Sequence, residues 1–406
     1  MLLGLIDIIF LIFAFFTLFF VFVFLVLYLE HRKIKINFKD IITPTVSIVI
    51  PALNEEKTII STINAIRKLK YPNIKEIIVI DDGSTDHTGE LARSMGVKVL
   101  RKENQGQKSY PLNFVLKKIK GEIMACVDAD SYPAPDSLMR AIQYFKDDDV
   151  ASVTTSVYVK NPKTLIERLQ NIEYTLIVWS RKLLEVIDSI YVTPGAMSLY
   201  RTDVIKKLGG FDNKNLTEDI EIAWRLLHNG YKIKMSLESE VYTGIPRKLK
   251  EWWQQRLRWN IGGLQTTLNY LPKFTKKKTM LNFVVPFFTF SFFFSIIGFL
   301  IFAYVMLGNL YSYLYYGTFS LIGGTGPIQR DILDPILIPN IFSIFGLIIL
   351  ITAIVWIVIS YRRTNKNLNS IVDLLDLVIY LSLYITLFPI ILLQAVWRLI
   401  INKKKW

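Results

Sequence analysis

Asp128 and Asp130 stand one residue apart at the end of the apolar run Ala125-Cys126-Val127. A strand alternates its side chains, so positions i and i+2 point the same way. Two carboxylates on one side, beside an anionic substrate, call for a cation between them. Mg²⁺ or Mn²⁺ takes such hard oxygen ligands and bridges one or two carboxylates to substrate phosphates. An Asp-x-Asp alone is a common turn sequence, and three other groupings give it weight. Asp81-Asp82-Gly83-Ser84 joins two acids to good turn chemistry. Thr217-Glu218-Asp219 opens a helical pattern, where acids suit the positive helix end and Thr217 is placed as the N-cap. Gln255-Arg256-Leu257-Arg258-Trp259 sets two guanidiniums beside an indole.

The elements that must position these groups can be read from periodicity. Residues 46–50 form a buried strand closed by Pro51-Ala52-Leu53-Asn54-Glu55-Glu56, and a helix follows through Ile59, Ile63, Ile66 and Leu69. A second strand at 76–80 runs into Asp81, a further helix leads to a strand at 97–100, and Gly121 turns the chain into the strand that ends at Asp128. Continuous β-branched strands alternating with helices predict an α/β fold, a Rossmann-like, mostly parallel sheet covered on both faces. The acids recur just past strand ends, the edge at which open α/β sheets bind ligands. Beyond this, residues 161–188 predict a long helix, 191–201 a strand interrupted by Pro194-Gly195, and 217–230 a helix stopped by Gly230.

Of the 406 residues, 52% are hydrophobic and 13% aromatic, a balance that a soluble domain rarely reaches. Residues 1–30 hold an apolar segment long enough to span a bilayer, followed at once by His31-Arg32-Lys33-Ile34-Lys35. A cleaved signal has its positive residues first, so this order predicts a signal anchor with its amino terminus outside. Residues 31–245 then form the cytoplasmic domain. Residues 246–279 are amphipathic and basic, expected to lie in the membrane interface with Trp252 and Trp253 as lipid anchors. Residues 280–406 contain about three apolar segments, at 280–307, 338–360 and 371–398, with Arg362-Arg363-Thr364-Asn365-Lys366 cytoplasmic and the loop 323–327 external. The last segment is either one span, leaving Lys403-Lys404-Lys405 outside, or a re-entrant pair broken near Pro389. Net charge is +14, which suits positive-inside topology, anionic lipid or a phosphate-rich substrate. No nucleic-acid partner is expected, since no basic helix or nucleic-acid module stands out. Cys126 is the sole cysteine, so an internal disulfide is excluded, and His31, His87 and His228 lack metal-ligand spacing.

In order and spacing, Asp81-Asp82, Asp128-x-Asp130, Thr217-Glu218-Asp219 and Gln255-Arg256-Leu257-Arg258-Trp259 resemble the motifs of membrane-embedded family-2 glycosyltransferases. These are the inverting synthases of cellulose, hyaluronan, chitin and poly-N-acetylglucosamine. The stretches 217–224 and 255–263 look most like the poly-N-acetylglucosamine synthases. The resemblance covers residues 45–265 and implies a GT-A-type domain inserted between transmembrane helices. It implies Asp81, Asp82 and Glu55 on the nucleotide of a UDP-sugar, Lys108 and Arg258 at its diphosphate, and Asp130 as main metal ligand with Asp128 shared between metal and ribose. Asp219, with Glu218 beside it, becomes the general base for an acceptor hydroxyl that attacks the anomeric carbon opposite the leaving group. The metal's task is to neutralise charge on the departing diphosphate. Trp259, Gln255 and the Gly195-Ala196 turn would shape the acceptor site. The sequence departs from the family where Gln107 separates Gly106 from Lys108.

The reading that results is a processive, metal-dependent polysaccharide synthase, multi-pass in the plasma membrane, using UDP-N-acetylglucosamine or UDP-glucose. The alternative is transfer of one sugar to a polyprenyl or dolichyl phosphate. About four spans is few for enclosing a channel, which points to a homodimer or a small membrane subunit as partner. An inactive scaffold would show losses among Asp82, Asp130, Asp219 or Arg258, and all four are present.

Overall fold

The computed structural model describes residues 5–32, 40–273, 281–323, 341–366 and 370–401. The basic residues 33 and 35, the loop 324–327 and the basic run 403–405 therefore lie outside the described residues. The first half of the domain follows the predicted alternation: β1 (Val46–Ala52), α2 (Ile59–Arg67), β2 (Ile74–Asp81), α3 (Thr88–Ser94), β3 (Lys98–Arg101), α4 (Ser109–Leu116) and β4 (Ile123–Cys126). Then come β5 (Ser131–Pro133), α5 (Ser137–Ile142), β6 (Val150–Val159), α6 (Leu165–Leu184), β7 (Ser198–Arg201), α7 (Thr202–Lys207), α8 (Glu218–His228) and β8 (Lys232–Thr243).

Together they make one eight-stranded sheet in the order β3-β2-β1-β4-β7-β6-β8-β5. β1 pairs in parallel with both β2 and β4, and β2 with β3, as the sequence pattern requires. Past β4 the sheet becomes mixed: β7 runs antiparallel to β4 and β6, and β8 antiparallel to β5. Only β6–β8 is parallel there. The strand order reverses between β1 and β4, so a crevice opens at their carboxyl ends. Two apolar clusters, one on each face, seal the sheet, with Ile78, Met124 and Trp224 in one and Ile48, Val79 and Leu199 in the other. The stretch expected as a strand from 191 is extended loop until Ser198, because its backbone is occupied elsewhere: Thr193 N–H donates to the Asp219 carbonyl at 3.2 Å.

Among the described residues four helices are long and apolar enough to cross a membrane. They lie in α1 (Leu5–His31), α10 (Leu281–Gly323), α11 (Ile341–Arg363) and α12 (Ile371–Ile400). α1 meets α10 through Phe16 on Phe290, α11 through Phe24 on Trp356, and α6 through Tyr28 on Trp179. α12 is one continuous helix that passes through Pro389, so of the two arrangements the sequence allowed, the pair broken near that proline does not form.

The expected interfacial segment contains α9 (Leu249–Tyr270), and this helix is not spread on lipid. It is wedged between the domain and α12. Trp252 is buried against Tyr384, and Trp253 Nε1 donates to Gln394 Oε1 at 2.6 Å, so both expected lipid anchors are covered by α12. A further contact fixes α9 from the other side. A Cβ on Gly262 would collide with the Thr217 side chain, so only glycine lets α9 sit this close to the start of α8.

Candidate active site

The crevice at the β1/β4 switch point opens into a cavity of about 850 Å³. Its floor is made of residues just beyond strand ends: Glu55 after β1, Asp82 after β2, Asp128 and Asp130 after β4. The two aspartates come together by a turn, not by strand alternation, since β4 ends at Cys126 and Ser131 N–H closes back onto the Asp128 carbonyl at 3.0 Å. Asp82 accepts from Lys102 Nζ at 2.8 Å, and burial raises its carboxyl above the ordinary value despite that partner. Burial likewise raises Glu55, against a hydrogen bond from Thr58. Asp130 is pushed up to about 6, first by burial and then by the nearby charges of Asp128 and Glu55. Its side-chain partners among the described residues are distant hydroxyls, Ser131 and Thr243 at 3.4 Å.

Asp81 stands apart. It is fully buried off the cavity wall, where its Oδ1 accepts the Ser84 N–H at 2.9 Å and Gly89 leaves room for its Oδ2. The structure thus gives Asp81 the task of shaping the turn that presents Asp82.

Lys108 enters from the start of α4 and forms an ion pair with Asp128, with Glu218 at 3.8 Å. Burial works against its charge, but Asp128 and its other neighbours hold its pKa well above the ordinary lysine value. Gly195 lies directly beneath this pair: a Cβ there would collide with the lysine amine and fall 2.7 Å from each Asp128 oxygen. The Gly195 carbonyl also accepts the Asp128 N–H at 2.9 Å. Expected on the acceptor side, Gly195 instead forms the backing of the donor-side carboxylate. Ala196 lines the same wall, nearly buried. Cys126, below Lys108, is an inert packing residue, its thiol raised to about 12 by burial.

Asp219 faces the cavity from the first turn of α8 and is held from behind: its carbonyl accepts Thr193 N–H at 3.2 Å and Thr193 Oγ1 at 2.9 Å. Burial, then repulsion by Glu218, raises its carboxyl to about 6. A carboxylate tuned upward is a better proton acceptor at neutral pH than an ordinary aspartate. Thr217 occupies the N-cap position, yet its side chain turns to Asn215 at 3.2 Å and makes no cap.

From α9, Gln255, Arg258 and Trp259 line the cavity. Arg258 makes no ion pair among the described residues, while Gln255 Oε1 accepts from Arg256 Nη1 at 2.6 Å. Arg256 itself is fully buried, ion-paired with Glu173 of α6, and stacked 4.1 Å from the Trp259 ring centroid. One face of Trp259 is therefore taken, leaving the other for a ligand. Sequence reasoning missed this Glu173–Arg256 lock. It also missed the far wall of the cavity, where Tyr174, Ile177, Val178 and Arg181 of α6 meet Tyr191 and Phe288. Residues 174, 177, 178 and 181 share one helical face by spacing, the signal that was there to be read.

With this geometry in place, the comparisons with known proteins decide the family. The model described as "Glycosyltransferase like family 2" matches residues 44–262. The chain belongs to glycosyltransferase family 2. It is 31% identical over 288 residues to a probable glycosyltransferase YdaM of Bacillus subtilis, covering 68% of each chain. It is 28% identical over 360 residues to the poly-beta-1,6-N-acetyl-D-glucosamine synthase of Staphylococcus epidermidis, covering 85% of this chain and 80% of that one. Among solved structures it is similar to the mannosyltransferase PcManGT of Pyrobaculum calidifontis in complex with GDP-Man and Mn²⁺. The TM-score is 0.58 and the identity 18%, covering 84% of this chain and 97% of that one, a likeness of fold. The enzyme class and the GT-A fold implied by the motifs are thus those of this chain.

Proposed function

We propose that this family-2 enzyme transfers a sugar from a UDP-sugar, with inversion, to an acceptor hydroxyl, and that repeated transfer extends a β-linked N-acetylglucosamine or glucose polymer. The observation that carries this reading is the single cavity. It runs from the carboxylates at the strand ends, past Asp219, to Phe288 and Phe292 of α10, so donor chemistry and the membrane helix line one continuous cavity.

Asp82 and Glu55 hold the nucleoside end of the donor. Asp130 and Asp128 suit a divalent cation: both offer hard oxygens, and the Asp130 carboxyl, raised by burial and by the charge of Asp128, is eased by a cation. Among the described residues no third protein ligand completes a cluster, which suits Mg²⁺ or Mn²⁺ sharing its shell with substrate phosphates and water. When bound, the metal offsets charge on the leaving diphosphate. Lys108 and Arg258 do the same from opposite walls. Asp219 takes the proton of the attacking hydroxyl, and no acid is required because a diphosphate leaves as an anion. The free face of Trp259, with Gln255, positions the acceptor sugar.

α1, α10 and α11 cross the bilayer, and the catalytic domain lies in the cytoplasm. α12 serves as an in-plane helix, because it is bound to the domain along its length: Asp376 by Arg168 at 2.6 and 3.0 Å near one end, Gln394 by Trp253 near the other. Its opposite face, with Leu375, Val378 and Trp397, stays exposed and apolar, as an interfacial helix requires. That arrangement keeps the basic 403–405 run on the cytoplasmic side. The apolar far wall also suits the shorter reaction, one sugar onto a lipid phosphate.

The test is to incubate the lipid-reconstituted protein with Mn²⁺ and radiolabelled UDP-N-acetylglucosamine and to size the product. A high-molecular-weight ladder that EDTA abolishes and Mn²⁺ restores is the expected result. A single organic-extractable species would replace polymerisation by lipid glycosylation, and turnover that survives chelation would remove the metal from the reading.

A further inference from the structure

Three cations are buried where α6 passes behind the cavity, and two of them are neutralised. Arg256 is paired with Glu173. Lys182 bonds Glu185 at 2.9 Å and the Met235 carbonyl at 2.8 Å. Arg181, the neighbour of Lys182 in sequence, is only 5% exposed and lines the cavity, yet it has no carboxylate partner among the described residues. Its Nε and Nη1 are buried without any hydrogen bond. A guanidinium stays charged in any protein, and a buried charge is tolerated only when it is paired. An anion that enters the cavity would supply the missing partner.

The surroundings say which anion. Arg181 lines the wall formed by Tyr174, Ile177 and Val178 of α6 with Tyr191 and Phe288, and Asp219 is the carboxylate whose charge reaches it. The wall it occupies is the apolar one, away from the strand-end carboxylates in sequence and in the elements that carry them. The walls next to it are apolar and continuous with the membrane helix: Phe288 packs on Tyr191 at 4.6 Å and Phe292 follows one turn later on α10. A planar guanidinium with free donors, set in an apolar wall, matches the phosphate of an amphiphile.

We propose that Arg181 seats the phosphate group of a lipid-linked acceptor, whose chain runs along Phe288 and Phe292 of α10 and whose reacting end faces Asp219. This rests on the glycosyltransferase reading of the same cavity. It makes the acceptor, at least at the first addition, an anionic lipid and not a free neutral saccharide.

The test uses full-length protein in detergent and compares equilibrium binding of farnesyl phosphate, farnesol, inorganic phosphate and UDP. Farnesyl phosphate should bind wild type at least tenfold more tightly than farnesol or inorganic phosphate. R181M should abolish that preference while leaving UDP affinity within about twofold, and R181K should keep part of it. R181M should also melt no lower than wild type without ligand, because it removes an unpaired buried charge. Several outcomes overturn the proposal. One is equal binding of farnesyl phosphate and farnesol, another a preference that survives in R181M. Equal affinity for inorganic phosphate would remove the lipid from the site. A parallel loss of UDP affinity in R181M would make the donor diphosphate the occupant. Failure of UDP to bind wild type, by contrast, would strike the transferase reading and leave the lipid comparison standing on its own result.

Discussion

The two ends of the cavity are built from opposite charges on opposite kinds of scaffold. At the donor end, Glu55, Asp82, Asp128 and Asp130 are short carboxylates fixed just past strand ends, and the cations that approach them, Lys102 and Lys108, are long and come from loops. At the far end the fixed charges are guanidiniums on helices, Arg181 on α6 and Arg256 on α9, with Arg258 of α9 between the two ends. A sheet edge holds a short side chain to within the register of its hydrogen bonds, which suits a metal and a diphosphate with fixed geometry. A helix face holds a long side chain by what packs beside it, so α6 and α9 need the Glu173–Arg256 lock. On the proposed reading the carboxylate end is completed by a cation and the guanidinium end by an anion.

The sharpest way to break this division is Asp219→Asn, at the boundary between the two ends. It should lower kcat by about 10²–10⁴-fold, with UDP affinity unchanged in a binding assay. A matching loss of UDP binding would move Asp219 to the donor end. Glu173→Gln tests whether the far end depends on its lock. Leaving Arg256 buried without a counter-charge should cost about 3–5 kcal/mol in denaturant unfolding, and an unchanged midpoint would reduce the pair to a surface-like contact. Asp130→Asn should do the reverse to stability while it removes activity. A carboxyl whose folded pKa is raised contributes stability at low pH that is lost as pH rises through about 6. The amide should therefore stabilise the metal-free protein at pH 7.5 by about 1–3 kcal/mol, read as a higher Tm, with little gain at pH 4. The pH profile is the mildest test. With Asp219 raised to about 6, the turnover at pH 5 should be about a tenth of that at pH 8. A flat profile would deny Asp219 the role of base.

What the chain made legible and what it hid follow from the range of the interactions. β1, β2 and β4 are continuous apolar runs with acids directly after them, so the strands, the switch point and Asp82, Asp128 and Asp130 could be read locally. The antiparallel insertion of β7 beside β4 could not, since nothing in residues 198–201 names its neighbours. Asp81 and Asp82 are adjacent and chemically identical, and only the turn decides that one is buried and the other faces the cavity. Trp252 and Trp253 read as lipid anchors because an aromatic face looks the same whether lipid or another helix covers it. Gly195 was noticed as part of a turn, but its close approach to Lys108 and Asp128 depends on residues about 70 to 90 positions earlier in the chain.

α1 leaves the ribosome before the elements it packs on and finds its partners late. Trp179, Phe290 and Trp356 lie roughly 150 to 330 residues further along, and the Tyr28 hydroxyl accepts from Arg363, 335 residues away. Contacts this distant in sequence are slow to close. The catalytic domain can therefore complete its sheet while the aromatic face of α1 is still uncovered. A chain halted before α11 would hold a folded donor edge, but α1 would lack its contacts with Trp356 and Arg363.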